Sequence, residues 1–344
     1  MKVFKNILVV QTAFPGDIVL TTPLFKALKK RFPESRLSVL TTPPGCELLK
    51  EIKEIDALIS YDKKGADKDL LSYVRLIKKL KRLRFDLCIS PHRSARTSFM
   101  VIASGIDERI GYSEASLSFL YSKKVVRDDK LHEVDRILSL LIPLDINVDE
   151  EDKQPCLALS QESSENMGKR FDELGIRAND LTIGVAPGSV WETKRWTAEG
   201  FASLIDNLIE TYHAKVLLLG APSDSAAGNE VLSRCKHEPI NLVGKTTLRE
   251  LIAVIDRCRL LIGNDSAPGH IAAARNVPVI SIFGPTVPSF GYSPFGKDVI
   301  IVEKELPCRP CHHHGPRTCP ESHFLCMKDI KSEEIMEQAK RFLK

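Results

Sequence analysis

Residues Leu260 to Ala274 read LLIGNDSAPGHIAAA, a strand pattern joined directly to a helix pattern. The first three residues are apolar without helical spacing, which predicts a buried strand. Asn264, Asp265 and Ser266 are residue types that cap helices, and the alanine-rich tail around Pro268 favours a helix that starts there. A strand that ends at the start of a helix is typical of α/β proteins.

The start of such a helix can bind an anion. Unpaired N–H groups and the positive end of the helix dipole point outward there, and phosphate is the usual ligand. Asp265, Ser266 and His270 would surround the same point, with His270 about one turn further into the helix. An ordinary strand-to-helix turn with a polar cap would give the same pattern, so this run alone leaves both interpretations open.

Strand and helix patterns alternate along most of the chain and restart at 182–186, after an acidic stretch at 145–153 that predicts a linker. The alternation predicts an α/β protein with two doubly wound, Rossmann-like, mostly parallel sheets. We expect one domain over 1–155, a second over 175–330, and a final amphipathic helix within 331–344 that packs back across both. A ligand-binding cleft between the two domains is expected as well.

Length and composition agree with this organisation. The chain has 344 residues, 43% of them hydrophobic and 27% charged, which is too long for one typical core. It contains no apolar run of membrane-span length and no signal-peptide pattern at its start. A cytoplasmic protein is therefore expected.

The net charge is only +4, but basic residues cluster between Lys78 and Arg84. Such a run predicts first a solvated helix face and otherwise an anionic partner, either a membrane surface or a phosphorylated substrate. Nucleic acid is disfavoured, because the sequence carries no recognition motif and aromatic residues make up only 6% of it.

Polar loops follow several predicted strands, at the edge where open α/β sheets bind ligands. In the first half, Asp17 follows the first strand, where it could cap a helix or act as a base. Arg93 and Arg96 follow a later strand and suit bidentate contact with carboxylate or phosphate.

The second half repeats this arrangement. Ser189 and Lys194 could reach an anion, and Asp224 could cap a helix or accept a hydrogen bond from a ribose hydroxyl. Trp196 is expected to pack beneath its loop rather than stack on a base. No G-x-G-x-x-G follows the first strand and no G-x-x-x-x-G-K-[ST] occurs, which disfavours a dinucleotide oxidoreductase and a P-loop kinase.

Four motifs thus stand in a fixed order: Pro15-Gly16-Asp17, then Pro187-Gly188-Ser189 with Lys194-Arg195-Trp196, then Gly263-Asn264-Asp265-Ser266 with His270, and finally Phe283-Gly284-Pro285-Thr286. Over nearly the whole chain, this set resembles glycosyltransferase family 9, the ADP-heptose:lipopolysaccharide heptosyltransferases, and within it the heptosyltransferase II type.

The resemblance implies the GT-B fold, with the acceptor bound by the N-terminal domain and the nucleotide-sugar by the C-terminal one. It implies inverting transfer of L-glycero-D-manno-heptose from ADP-heptose to heptose I of the lipopolysaccharide inner core, with no obligatory metal. Peripheral contact with the cytoplasmic face of the inner membrane is expected, and no nucleic-acid partner.

By the same resemblance, Asp17 corresponds to the catalytic base and Lys194 to a catalytic, phosphate-binding lysine. The implied donor-binding residues are Ser189, Lys194, Asp224, Asp265, Ser266, Ala267 and His270. Arg93 and Arg96 are the acceptor-side candidates.

Four of the nine cysteines, Cys308, Cys311, Cys319 and Cys326, fall in one histidine-containing segment. In a cytosolic chain this argues against disulfides. The first pair has zinc spacing and the second does not, so free thiols are favoured and structural zinc is the alternative.

Two other functions stay open at this stage. The same fold could use another nucleotide-sugar or acceptor, because phosphate-binding parts do not specify the sugar. A non-catalytic nucleotide-sugar binder, or a zinc-stabilised interaction protein, would keep the donor loop without needing a base at Asp17.

Overall fold

The computed structural model describes residues 3–343, which form two compact units divided between Ala158 and Leu159. The outermost bounds of the expected domains, 1 and 344, lie outside the described residues. Each unit contains one six-stranded parallel sheet with helices.

The strands of the first unit are β1 (Asn6–Gln11), β2 (Arg36–Thr41), β3 (Ala57–Ser60), β4 (Leu87–Ser90), β5 (Glu108–Tyr112) and β6 (Lys123–Val125). Its helices are α1 (Pro15–Leu20), α2 (Thr22–Arg31), α3 (Pro43–Leu49), α4 (Leu70–Leu83), α5 (Ala95–Ala103) and α6 (Glu133–Ser139). The strand order is β3-β2-β1-β4-β5-β6, all parallel. Central strand β1 is apolar at every position from Ile7 to Val10 and fully buried there, as expected of a strand covered on both faces.

The apolar pattern from Ile18 to about Arg31 predicts a single helix, and this prediction is wrong. The helix starts at Pro15 and breaks at Thr21 into α1 and α2. Pro23 has no N–H to donate to the preceding turn. The hydroxyl of Thr22 donates to the Val19 carbonyl at 2.8 Å instead.

Other boundaries shift for similar reasons. Helix α3 starts at Pro43 rather than Cys46, because Thr42 caps it by accepting a hydrogen bond from the Gly45 N–H at 3.3 Å. Strands β5 and β6 were not predicted; only a short 3-10 turn, Ser118–Leu120, separates them, so the strand–helix alternation fails there.

The acidic stretch 145–153 is not a free linker. Asp152 forms ion pairs with Lys26 and Lys30 of α2 at 2.7 and 2.8 Å, which hold the stretch on the first unit. The strand predicted at 155–159 is absent from the described chain; the Cys156 N–H donates to the Thr22 hydroxyl at 2.9 Å.

The strands of the second unit are β7 (Thr182–Ala186), β8 (Lys215–Leu218), β9 (Ile240–Asn241), β10 (Leu260–Asn264), β11 (Val279–Phe283) and β12 (Val299–Glu303). Its helices are α7 (Gln161–Glu173), α8 (Ala198–Tyr212), α9 (Ser225–Leu232), α10 (Leu248–Asp256), α11 (Ala267–Ala274), α12 (Leu325–Lys328) and α13 (Ser332–Ala339). The strand order is β12-β11-β10-β7-β8-β9, again all parallel. Edge strand β12 was not predicted.

The final helix expected within 331–344 is α13; it is short, ends at Ala339 and packs on α8 of its own unit. Ile335 and Ala339 are fully buried in the same apolar cluster as Trp196 and Phe201. No helix within residues 3–343 is long and apolar enough to cross a membrane.

Candidate functional site

The carboxyl ends of β7, β10 and β11 carry the loops that contain most of the predicted donor residues. The predicted strand 260–262 extends to Asn264 as β10, and among the three candidate cap residues Ser266 is the N-cap of α11. Pro268 lies in the first turn of that helix, as the sequence predicts. Ala267 is its first residue, and His270 lies one turn in and is buried.

Asn264 fixes the β7 loop against the end of β10. Its side-chain amide donates to the Pro187 carbonyl at 2.7 Å, and its carbonyl oxygen accepts from the Trp196 N–H at 2.9 Å. The side chain is 1% exposed, so its loss would leave both backbone groups without their partner. The sequence indicated only a helix-capping residue type here, and the bridging role depends on the tertiary fold.

Lys194 and Asp265 form an ion pair at this edge. The Lys194 Nζ lies 2.5 Å from Asp265 Oδ2, and the two side chains are only 13% and 9% exposed. The Thr286 hydroxyl donates to the same carboxylate oxygen at 2.9 Å. Three loops therefore meet at one carboxylate, and the Lys194 ammonium is held beside the start of α11.

Ser189 and Asp224 lie on the same edge of this sheet. The Gly188 backbone passes so close to Asp224 that a Cβ on Gly188 would come within 2.3 Å of the carboxylate carbon. Asp224 Oδ2 accepts from the Ala221 N–H at 2.9 Å, which closes the 3-10 turn Pro222–Asp224; the Asp224 side chain makes no cap hydrogen bond to α9, which starts next. Ser189 is buried, and its carbonyl accepts two hydrogen bonds from the Arg195 guanidinium, at 2.8 and 3.0 Å.

The two tryptophans have different surroundings. Trp196 is buried, its indole N–H donates to the Ile330 carbonyl at 3.1 Å, and it meets Phe201 edge-on at 4.9 Å. This confirms the predicted packing role. Trp191 is partly exposed and stacks on His314, with ring centroids 6.2 Å apart.

The cysteine-rich segment contacts the loops that follow β7 and β11. The nearly buried Arg309 guanidinium donates to the Thr286 carbonyl at 2.8 Å and pairs with Glu303 at 2.6 Å. The Cys311 N–H donates to the Pro285 carbonyl at 3.0 Å. Gly315 has a φ of +85°, and a Cβ there would lie 3.2 Å from the Lys194 side chain.

The cysteines themselves are all free thiols, and burial raises the pKa of Cys311 and raises that of Cys326 to about 11. Cys308 Sγ lies 3.9 Å from His323 Nε2. Among residues 3–343, no group of three or more His, Cys, Asp or Glu side chains is placed to hold a metal ion. This geometry gives the zinc alternative no support.

In the first unit, Asp17 lies in the first turn of α1 and is partly exposed. The Phe14 N–H donates to Asp17 Oδ2 at 3.1 Å, so the carboxylate does cap the helix. Capping occupies one face of one oxygen and is compatible with a role as a base, because each carboxylate oxygen has two lone pairs.

Several basic side chains lie near the loop that follows β1. Lys63 Nζ donates to the Thr12 carbonyl at 2.7 Å, and burial, followed by Lys64 and Arg96, lowers the pKa of Lys63. Burial, with help from Lys63 and Arg93, lowers the pKa of His92 to about 4. Sequence reasoning missed Lys63; its position just after β3, at the same sheet edge, was the available signal.

The two predicted acceptor-side arginines differ. Arg93 is exposed on the loop before α5. Arg96 belongs to α5 rather than to the predicted loop, because Ser94 caps this helix by accepting from the Thr97 N–H. Its guanidinium donates to the Asp67 carbonyl at 3.0 Å and lies 4.7 Å from the centre of the Tyr73 ring. These contacts give Arg96 a structural role that the sequence did not indicate.

Two six-stranded parallel sheets of this order, with polar loops at their carboxyl ends, are the architecture of the GT-B fold. The family comparison is more specific. Residues 73–322 match the model of glycosyltransferase family 9 (heptosyltransferase), and the chain belongs to this family. It is therefore an enzyme, and the non-catalytic alternatives are set aside.

Individual relatives agree with this assignment. The chain is 32% identical to lipopolysaccharide heptosyltransferase 3 of Escherichia coli over 281 residues, which cover 79% of this chain and 82% of that protein. It is 29% identical to lipooligosaccharide heptosyltransferase 2 of Haemophilus influenzae, over 88% of this chain and 90% of the relative. The crystal structure of a family 9 glycosyltransferase from Veillonella parvula is similar at a TM-score of 0.89 and 25% identity, covering 100% of this chain and 98% of the other.

Proposed function

We propose that the protein transfers L-glycero-D-manno-heptose from ADP-heptose to heptose I of the lipopolysaccharide inner core, with inversion. The observation that carries this proposal is the Lys194–Asp265 pair beside the start of α11, in a chain that belongs to the heptosyltransferase family. A fixed ammonium next to helix N–H groups suits a diphosphate leaving group.

In the donor half of this reaction, Lys194 donates to a phosphate oxygen of ADP while Asp265 and Thr286 hold its position. The N–H groups at Ser266 and Ala267 add positive potential toward the same diphosphate. Asp265 is itself negative, so its proposed role is to orient Lys194 and to accept from a donor hydroxyl. Ser189, Asp224 and His270 line the same sheet edge and are proposed to contact the remainder of the donor.

In the acceptor half, Asp17 removes the proton from the attacking sugar hydroxyl. The hydroxyl oxygen then forms a bond to the anomeric carbon while the bond from that carbon to the phosphate oxygen breaks, and ADP leaves with both electrons. Acceptor activation and leaving-group departure on opposite faces produce inversion. No metal is needed for this balance of charge and atoms.

The cations of the first unit suit an acceptor that carries phosphate or carboxylate groups. Arg93 is exposed, and both Arg93 and Lys63 lie close enough to His92 to help lower the pKa of that imidazole. Arginine can bind such groups through two parallel hydrogen bonds. Because Arg96 is occupied by backbone carbonyls, we assign it the weaker share of acceptor binding. We propose that the enzyme works in the cytoplasm, peripheral to the inner membrane, because the proposed acceptor is anchored in lipid.

A second acceptor is also supported by one observation. The relative called heptosyltransferase 3 shares 32% identity with this chain, against 29% for the relative called heptosyltransferase 2. The second candidate function is therefore transfer of heptose by the same chemistry to the acceptor of a heptosyltransferase 3, a core that already carries the second heptose.

The test is to incubate the purified protein with ADP-heptose and soluble, deacylated core acceptors, and to follow ADP release together with acceptor mass. Acceptors that end at the first heptose and acceptors that already carry the second separate the two candidates. Turnover with another nucleotide-sugar but not with ADP-heptose would overturn the donor assignment.

A further inference from the structure

The solvent-facing side of α4 has an unusual composition. Leu70, Leu71 and Val74 in its first turns are 74%, 69% and 38% exposed. The remainder of this side is basic, with exposed side chains at Arg75, Lys78, Lys79, Lys81 and Arg82 and at Arg84 just beyond the helix. At 100° per residue, the three apolar residues and Lys78, Lys81 and Arg82 fall within one third of the helix circumference.

The opposite side of α4 is accounted for by packing. Tyr73, Leu76 and Leu80 are buried in the core of the first unit, so the exposed leucines are not needed to hold the helix in place. Phe99 of α5 is 51% exposed and stacks against Tyr73 at 6.4 Å, which widens the apolar area beside the first turns. We call Leu70, Leu71, Val74 and Phe99, with the basic residues of α4, the α4 surface.

Charge identifies the kind of partner. The sequence from Leu70 to Phe85 contains six basic residues and no acidic one. The acidic groups before it are engaged locally: Asp69 accepts from the Ser72 N–H and hydroxyl at 2.9 and 2.6 Å, and Asp67 accepts from the Asp62 N–H at 2.8 Å. The α4 surface therefore presents positive charge, without acidic residues on the helix itself, next to exposed aliphatic side chains.

We propose that the α4 surface binds an anionic phospholipid bilayer, with Leu70, Leu71 and Val74 in the acyl boundary and the basic residues on the headgroups. Long basic side chains can lie along apolar surface while their charges reach the phosphates. Each lysine or arginine near an anionic membrane strengthens binding, and salt weakens this term. The proposal rests on the peripheral membrane contact of the proposed function and assigns a surface to it; because vesicle binding needs neither donor nor acceptor, it can be tested separately from the reaction.

The test is co-sedimentation of the full-length protein with vesicles, without any substrate. Vesicles of phosphatidylcholine alone are compared with vesicles that contain about one third phosphatidylglycerol. We expect binding only to the anionic vesicles. Lys78→Gln with Lys81→Gln should weaken it roughly 25-fold, at about fivefold per charge. Leu70→Ser with Leu71→Ser should weaken it at least tenfold.

Matched controls change the same chemistry elsewhere. Ile142 is 63% exposed in the same unit but outside the α4 surface, and Lys236 is exposed in the second unit. Ile142→Ser and Lys236→Gln should bind like the unchanged protein. Equal losses in the controls, no preference for anionic vesicles, or self-association that the leucine changes abolish would each overturn the proposal.

Activity separates this result from the proposed function. With a soluble deacylated acceptor, the α4 variants should turn over at the unchanged rate, and with acceptor embedded in vesicles they should be slower. If no variant and no parent protein transfers heptose, the proposed function fails while the vesicle measurement still stands on its own.

Discussion

The two sheets of this protein have the same topology and different loops. Numbered from the first strand of each unit, both run 3-2-1-4-5-6, and every neighbouring pair is parallel. The carboxyl edge of the first sheet carries Asp17 among cations such as Lys63 and Arg93, whereas that of the second carries the Lys194–Asp265 pair. One scaffold therefore carries two different sets of polar groups, because the strands fix the edge and the loops supply the side chains.

The surfaces of the two units also differ. Of the fourteen large apolar side chains exposed among residues 3–343, only Val190 and Leu325 belong to the second unit. Those of the first unit include Leu70 and Leu71 beside a basic helix. The exposed apolar side chains are thus concentrated in the first unit, and the interior of that unit contains buried charged groups as well.

The largest expected effect comes from removing the proposed base of the first unit. Asp17→Asn keeps an oxygen that can accept from the Phe14 N–H, so the α1 cap is preserved while the base is lost. We expect turnover to fall 10²–10⁴-fold and the Kd for ADP to stay unchanged, as measured by calorimetry. Asp17→Ala should add a stability cost of about 1 kcal/mol. Equal loss of turnover and ADP binding in Asp17→Asn would contradict the assignment of the base to the first unit and of donor binding to the second.

The next effect concerns stability in the first unit alone. Glu133 lies 2.6 Å from Arg127 and 3.2 Å from Arg136, and the three side chains are 8%, 3% and 1% exposed. Glu133→Gln removes the carboxylate that both buried guanidinium groups share, while Arg127 keeps its ion pair with Asp129 at 3.2 Å. Breaking a buried charge pair in this way should cost about 3–5 kcal/mol.

Hydrogen exchange checks this change unit by unit. Amides of β4 and β5 should exchange faster in Glu133→Gln, and those of β7 and β10 should not. Glu150→Gln is the matched control, because Glu150 is 84% exposed where it pairs with Lys153. Faster exchange in both sheets would show that the units do not unfold independently.

The third effect lies in the second unit. Lys194→Met removes the ammonium beside the start of α11 and should lower turnover about 100-fold and weaken ADP binding. Part of any loss of stability in Lys194→Met comes from the Asp265 carboxylate, which loses its ion-pair partner. The double change Lys194→Met with Asp265→Asn should recover that part of the stability. Lys245→Met, at an exposed lysine of the same unit, should leave ADP binding unchanged. Unaltered ADP affinity in Lys194→Met would disprove the phosphate-binding role.

The smallest of these effects depends on pH. Burial lowers the pKa of His92 from its ordinary 6.5 to about 4, so the folded protein holds this imidazole neutral while the unfolded chain protonates it below pH 6.5. Its contribution is complete above pH 6.5 and is lost as the pH falls toward 4. At pH 5 the loss is about 2 kcal/mol.

Urea unfolding at pH 7 and pH 5 measures this loss. His92→Gln should remove that part of the difference between the two pH values, whereas His237→Gln, at an exposed histidine of the second unit, should leave it in place. A parent protein equally stable at both pH values would contradict the assignment.

The sequence alone determined the architecture and the order of the motifs. Apolar runs such as those of β1 and β10, with helix caps after them, are local signals, because hydrophobic periodicity and capping act within a few residues. The same local signals located Asp17, Ser266 and Lys194. They failed at Pro23, where a lost N–H breaks a helix, and at edge strands such as β6, where burial is weak.

Only the tertiary structure decided how these residues act on one another. Lys194 and Asp265 are 71 residues apart in sequence, and Asn264 bridges to Pro187 over 77. Contacts of this range depend on which strands are neighbours, and nothing in a local pattern specifies a side chain's distant partner. The same reason explains why Arg96, predicted in a binding loop, instead braces α4, and why Leu70 and Leu71, apolar residues of an amphipathic helix, face the solvent.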